Sequence, residues 1–443
     1  MQNNKKLLSK ILLSISLILF FYTFYESEIK YDSNLHEKYF KYYLTCFLLI
    51  IFSLITFFIK KEITKNILTI FISLVFALYL INGFLILNKT KGNLDVKKHV
   101  IEFYLDLKKI EDDITISIYP LNHIENTDYP LFSLSSISNK KTIHCNENGY
   151  FSIHYTDRYG FNNLDIEWDK EEIQFVLVGD SFTHGACVNE EDTISGNLKK
   201  LVKKGGVINL GYSTNGPLKE YATLREYLPL QKVKRVLWLY TERNDLSDLI
   251  DEMKHKTLVQ YLKNKDFTQK LHTRQNEIDL KLKEVFDTAL KDYFREKETE
   301  KGPLISFLRL YFLRNFLKEK FIEPKYNIDI QNNTLKKFSE IIMRAKNLSE
   351  KNNAEFYFVY LPDYFKYKNK LYDNTEFKNY RNVINLVNEL DIPIIDIHKD
   401  LMKKHPDPLS LFPYRNFGHY NELGYKLVSE IIFKKISDYE KTK

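Results

Sequence analysis

The chain is poor in cysteine and lacks the short motifs that usually mark metal and cofactor sites. Its 443 residues include three cysteines, and neither a Cys-x-x-Cys pair nor a His-Glu-x-x-His segment occurs. The common sequence signatures of zinc are therefore missing. The nearest approach, His36-Glu37, has Phe40 where the second histidine would stand. Nucleotide-binding glycine loops are absent as well, so neither a cofactor nor a metal is expected. No internal repeat and no low-complexity tract occurs. The net charge of +7 is dispersed, with 12 basic and 12 acidic residues in 247–301. Such mixing describes a solvated helical surface, and no nucleic-acid partner is expected.

Long uncharged runs, in contrast, are plentiful near the N-terminus. Residues 67–87 and 42–59 are free of charge, as is the shorter run 11–25, and we read three transmembrane helices in an anchor spanning 1–90. Lys5, Lys6 and Lys10 precede the first run, but no small-residue cleavage site follows it, which favours an uncleaved anchor over a signal peptide. The N-terminus and the loop 60–65 are both rich in lysine, which places the rest of the chain outside the cytoplasm. Cys46 falls within a membrane run. Cys145 and Cys187 either pair in an oxidising compartment or remain free.

After the anchor, residues 91–170 read as a lead-in with an amphipathic stretch at 94–110 and a strand at 114–120. The segment 150–163 alternates and then breaks at Gly160, as a strand and turn do. From 171 to 443, apolar strands at 173–179, 207–211, 235–240, 355–361 and 393–397 alternate with helical patterns. That is the signature of an α/β domain with a parallel sheet flanked by helices. The charged, helix-favouring insertion at 247–350, broken by Gly302-Pro303, is expected to form a cap or partner surface of its own.

Three strand ends and one helix start carry the candidate chemistry. The run Gln174-Phe-Val-Leu-Val-Gly179 stops on Asp180-Ser181, where a nucleophile or a helix cap would sit. Gly211 closes a second run and Asn244 follows a third, while His419 precedes an amphipathic helix that Asn421 can cap. His184, three residues from the serine, reads as a bystander.

In these four blocks, Gly179-Asp180-Ser181, Asn209-Leu210-Gly211, Asn244-Asp245-Leu246 and Gly418-His419, the sequence resembles the SGNH, or GDSL-like, superfamily of serine esterases and acyltransferases. The resemblance implies a flavodoxin-like fold, with Ser181 as nucleophile and His419 as base. It also implies oxyanion donors from the Gly211 backbone and the Asn244 amide. Two departures stand out. Glu242 occupies a position usually held by glycine, and the aspartate usually found just before the histidine is replaced by Asn416 and Phe417. The imidazole is then steadied by Asn416 or a backbone carbonyl, or by a distant carboxylate such as Asp407. The expected substrate, by analogy with anchored relatives, is an acyl or acetyl ester of an extracytoplasmic glycan. Acyl transfer would call for a multi-spanning acyltransferase partner. The alternative is a non-catalytic binding or scaffold module of the cell envelope.

Overall fold

The computed structural model describes residues 2–30, 36–91, 100–118, 131–299, 307–308, 310–321, 332–368 and 377–442. Residues 94–99, 119–120 and Gly302-Pro303 of the expected elements lie outside these. The chain divides into two compact units, one of residues 1–92 with 300–322, the other of 93–299 with 323–443.

In the first unit the helices Gln2–Phe24, His36–Ile55 and Lys61–Lys91 follow the three uncharged runs. Two stretches, Ser9–Ile29 and Glu62–Ile86, are long and apolar enough to cross a membrane, whereas the apolar part of the middle helix, Tyr39–Ile55, is shorter. Three spans were expected, and by length and composition two are found. The middle helix stops at Ile55, and its run goes on as a turn in which Phe57 N donates to Leu54 O and Phe58 N to Ile55 O. The first two helices share a buried contact between Ser16 Oγ and Ser53 Oγ, 2.9 Å apart.

The second unit carries two sheets. Three short strands, β1 (Ile114–Ile116), β2 (Lys141–Ile143) and β3 (Ile153–Tyr155), form the smaller one in the order β1-β2-β3. Its apolar face packs with Tyr104 of the helix Val100–Lys108. The larger sheet contains β4 (Ile173–Gly179), β5 (Gly206–Asn209), β6 (Arg235–Thr241), β7 (Glu355–Leu361) and β8 (Ile394–Asp396). All pairings are parallel, in the order β5-β4-β6-β7-β8.

Each central strand is apolar on both faces, and that is why its sequence is a continuous run rather than an alternation. In β4, Val176 and Val178 enter one core while Phe175 and Leu177 enter the other. The first core is closed by the helices Pro217–Tyr227 and Asn332–Lys351, the second by Ile194–Leu201 and Glu422–Thr442.

The insertion does not form a separate cap. Leu249, Leu258, Ile278, Leu282, Phe338 and Ile342 are buried in the first core, so its helices before 299 and after 332 are a layer of the main domain. Its middle joins the first unit, where Leu313 N donates to Asn82 Oδ1 at 3.0 Å.

Candidate active site

β4 is the strand at which the chain reverses direction across the sheet, with β5 on one side and β6 on the other. In open parallel sheets ligands bind at the strand C-termini at such a point. Ser181 stands there, as the first residue of the short helix Ser181–His184. Gly179 allows the turn because a Cβ would strike Thr183 Oγ1 and approach Leu239 O to 2.7 Å. Asp180 caps the helix: its Oδ1 accepts from Phe182 N at 2.9 Å and from Thr241 Oγ1 at 2.9 Å. The cap is thus the aspartate, which leaves the serine hydroxyl free for another partner.

That partner is His419, whose Nε2 lies 2.8 Å from Ser181 Oγ. The ring packs against Phe182, with centroids 4.8 Å apart. Asn421 caps the next helix by accepting from Gly424 N at 2.9 Å. On its other side His419 meets Glu147, with Nδ1 3.1 Å from both carboxylate oxygens and the backbone N–H donating to Oε2 at 2.7 Å. A carboxylate only accepts, so Nδ1 carries the proton and Nε2 is left to accept from the serine hydroxyl. Burial pushes the Glu147 carboxyl up, but hydrogen bonding and charge from His419, aided by Arg243, outweigh it and hold Glu147 below the usual glutamate range. Gly418 makes room for this contact, since a Cβ there would lie 2.6 Å from Glu147 Oε2.

Glu147 was not anticipated from the sequence. The expected substitutes lie elsewhere: Asn416 is exposed, and its backbone N–H donates to Pro413 O. Asp407 pairs with Arg415. Cys145 and Cys187 form a disulfide, which ties the loop carrying Glu147 to the loop that follows Ser181. Asn148 adds to the tie, donating to Cys187 O at 3.0 Å.

Gly211 sits beside the Ser181 helix. It does not line the pocket of about 470 Å³ in front of Ser181, whereas Ser213 and Thr214 do, together with His144, Arg243, Asn244 and Asp248. The Gly211 N–H donates to Asn209 Oδ1 at 2.9 Å, and a Cβ would lie 2.5 Å from Thr183 Cβ. This glycine lets the strand end pack on the nucleophile helix. Thr214, at the pocket wall, takes the left-handed backbone conformation with φ of 70°.

Asn244 does line the pocket, and its Nδ2 donates to Asp248 Oδ2 at 2.6 Å. Burial, with the charge of Glu252 adding to it, pushes the Asp248 carboxyl up to about 7. Glu242 turns to Lys366 in a mostly buried ion pair and accepts from Asp363 N at 3.3 Å. The bulk that replaces glycine is thus directed into the β7 end of the sheet.

The turn after β3 organises the back of the site. Asp157 accepts from Tyr159 N, Phe161 N, Asn163 Nδ2 and Trp168 Nε1 at 2.7 to 3.0 Å. Asn163 then donates to Asn209 O and accepts from Asn209 N, while Asn162 donates to His184 O. The segment therefore holds both the end of β5 and the Ser181 helix.

No protein-family model matches the chain, and no curated protein does. Among solved structures, similarity is found to a lipase/acylhydrolase from Enterococcus faecalis, 13% identical with a TM-score of 0.34, covering 60% of this chain and 96% of that one. A member of the lipolytic protein G-D-S-L family from Veillonella parvula is 10% identical with a TM-score of 0.33, covering 59% and 97%. An acetyl xylan esterase is 11% identical with a TM-score of 0.31, covering 60% and 100%. The strand order is the flavodoxin-like one expected from the sequence, and Ser181, Asn244 and His419 line one pocket at its switch point.

Proposed function

We propose that the chain is a serine-dependent ester hydrolase or O-acyltransferase, with Ser181 as nucleophile, His419 as general base and Glu147 as the carboxylate that orients the imidazole. The observation that carries this reading is the continuous hydrogen-bonded line from Ser181 Oγ through His419 to Glu147. Oγ attacks the ester carbonyl carbon while its proton passes to Nε2. Collapse of the tetrahedral intermediate returns that proton to the departing alcohol and leaves an acyl-serine. Water or a sugar hydroxyl then attacks the acyl carbon and gives its proton to His419; the bond from that carbon to Oγ breaks, and His419 returns the proton to Ser181.

Charge on the carbonyl oxygen needs fixed donors. The Asn244 amide, which donates to Asp248 and also bonds Asp180 in the resting site, is assigned to the oxyanion once substrate enters. Backbone N–H groups of Ser181 and Thr214 complete the set, Thr214 taking the role first given to Gly211. Glu147 favours this catalytic reading over a binding module, because it supplies the charge that Asn416 lacks.

The substrate we infer is an acyl ester, acetyl being the simplest, on an extracytoplasmic glycan. The lysine-rich N-terminus and 60–65 loop support an outward-facing domain on a multi-pass anchor. Transfer rather than hydrolysis would draw its acyl group from a separate multi-spanning membrane partner. Labelling of the purified full chain with a fluorophosphonate tests the reading. An adduct on Ser181 that is lost in Ser181→Ala and His419→Ala is expected. A folded protein without adduct would return the scaffold alternative.

A further inference from the structure

At the pocket wall, which His144 lines, three histidines from different elements converge. His144 follows β2, His154 sits in β3 opposite Thr142, and His184 ends the nucleophile helix. They are 6%, 4% and 1% exposed. Their ring centroids are 4.5, 5.2 and 6.0 Å apart, and one nitrogen of each lies within 4.8 Å of the other two. We propose that His144, His154 and His184 form a binding site for a divalent transition-metal ion, zinc being the best fit.

Two features of the cluster argue for a ligand. The side chain of His154 makes no hydrogen bond among the described residues, although it is almost wholly enclosed and faces two other imidazoles. A buried polar ring in that position ordinarily has a partner. Ser213 Oγ lies 3.1 Å from His184 Nδ1 and 3.3 Å from His144 Nε2, so one hydroxyl sets the tilt of two rings. Outer contacts of that kind orient metal-ligating histidines.

The donor set selects the ion. Three nitrogens without a carboxylate exclude calcium and magnesium, which take oxygen ligands, and suit zinc, with Zn–N bonds of about 2.0 to 2.1 Å. Tetrahedral closure brings the nitrogens to roughly 3.4 Å from one another. From the present spacing that is a shift on the scale of a ring rotation. The neighbouring cysteines are joined in a disulfide and do not compete as thiolates. Motif inspection misses the site because its members are spread over residues 144 to 184 with no fixed spacing.

An ion here would have a structural consequence for the active site. His144 and His184 flank Cys145 and Cys187, so the metal would clasp the same two loops that the disulfide joins, one bearing Glu147 and the other Ser181. The site stands or falls independently of the proposed esterase chemistry.

The test uses the untagged full chain in detergent, dialysed after exposure to ZnCl2 and assayed by elemental mass spectrometry. One zinc per chain is expected, together with a higher melting temperature than in EDTA. CoCl2 in its place should give the visible absorption of tetrahedral cobalt. Both signals should vanish in His154→Ala and His184→Ala. X-ray absorption at the zinc edge of the unaltered protein counts imidazoles without any variant, and three are expected. Failure to retain zinc or cobalt at micromolar concentration would overturn the proposal. So would a coordination shell without imidazole, or undiminished binding in folded His154→Ala.

Discussion

Glu147 and His419 are 272 residues apart in the chain, yet the carboxylate receives both the backbone N–H and the imidazole Nδ1–H of the histidine. Glu147→Gln keeps the shape and removes the charge that stabilises the imidazolium. In serine proteases the comparable change costs about 10⁴-fold in rate, and a loss of that order in kcat is expected on p-nitrophenyl acetate. Asn416→Ala should change kcat by no more than a few-fold. Equal losses in the two variants would remove Glu147 from the triad.

The contrast between these residues shows what the sequence could disclose. Strands β4, β6 and β7 were legible because burial on both faces demands continuous apolar runs; Ser181 was legible at the end of one such run and His419 just before an amphipathic helix. Glu147 belongs to a loop with no periodicity, and only tertiary closure brings it to the histidine. Two local signals pointed towards it: Gly418, whose missing side chain admits the carboxylate, and Cys145, two residues away, whose partner lies six residues beyond Ser181. Gly211 was legible as a strand-end glycine, but a glycine needed for packing and one needed for catalysis look alike in sequence.

The oxyanion assignment separates these two glycine roles experimentally. Asn244→Ala should lower kcat by about 10²- to 10³-fold with little change in KM, the loss typical of one removed donor. Gly211→Ala should instead lower the melting temperature, since its Cβ collides with Thr183. An unchanged melting temperature with reduced kcat in Gly211→Ala would restore the original assignment.

Asp248 links the site to pH. Its carboxyl is raised from 3.8 to about 7, so between these values the folded state binds more protons than the unfolded one. Stability then falls as pH rises through that window and levels off above it. Glu220 and Asp245, pushed well above the usual carboxylate range by burial and by neighbouring acids, act in the same sense. In Asp248→Asn the decline in the urea midpoint from pH 5 to pH 8 should be shallower than in the unaltered protein. A parallel decline would show that Asp248 titrates normally.

The disulfide closes a loop with a sequence separation of 42, for which chain entropy gives roughly 4 kcal/mol. Cys145→Ser/Cys187→Ser should lower stability by up to that amount. It should also reduce kcat more than KM, because the loop carrying Glu147 is then held to the Ser181 loop only by weaker contacts. Full activity in the doubly substituted protein would make the tie irrelevant to catalysis.

A last prediction concerns Asn82, wholly buried within the candidate span Glu62–Ile86. Its side chain accepts from Leu313 N at 3.0 Å and donates to Phe307 O at 3.2 Å, while Tyr79 OH donates to Leu308 O at 2.8 Å. Leu310 has a positive φ of 50°, so helical hydrogen bonding is interrupted just before the helix Tyr311–Phe321. Backbone groups freed by such a break have no water to bond in an apolar setting and must find protein partners. Asn82→Leu withdraws them, at a cost of about 1 to 2 kcal/mol by analogy with interhelical bonds in membranes. In proteoliposomes this should appear as faster trypsin cleavage after the exposed Arg314. Cleavage at the unaltered rate would mean that the apolar contacts, including the Tyr79 and Phe307 rings 5.2 Å apart, hold the segment by themselves.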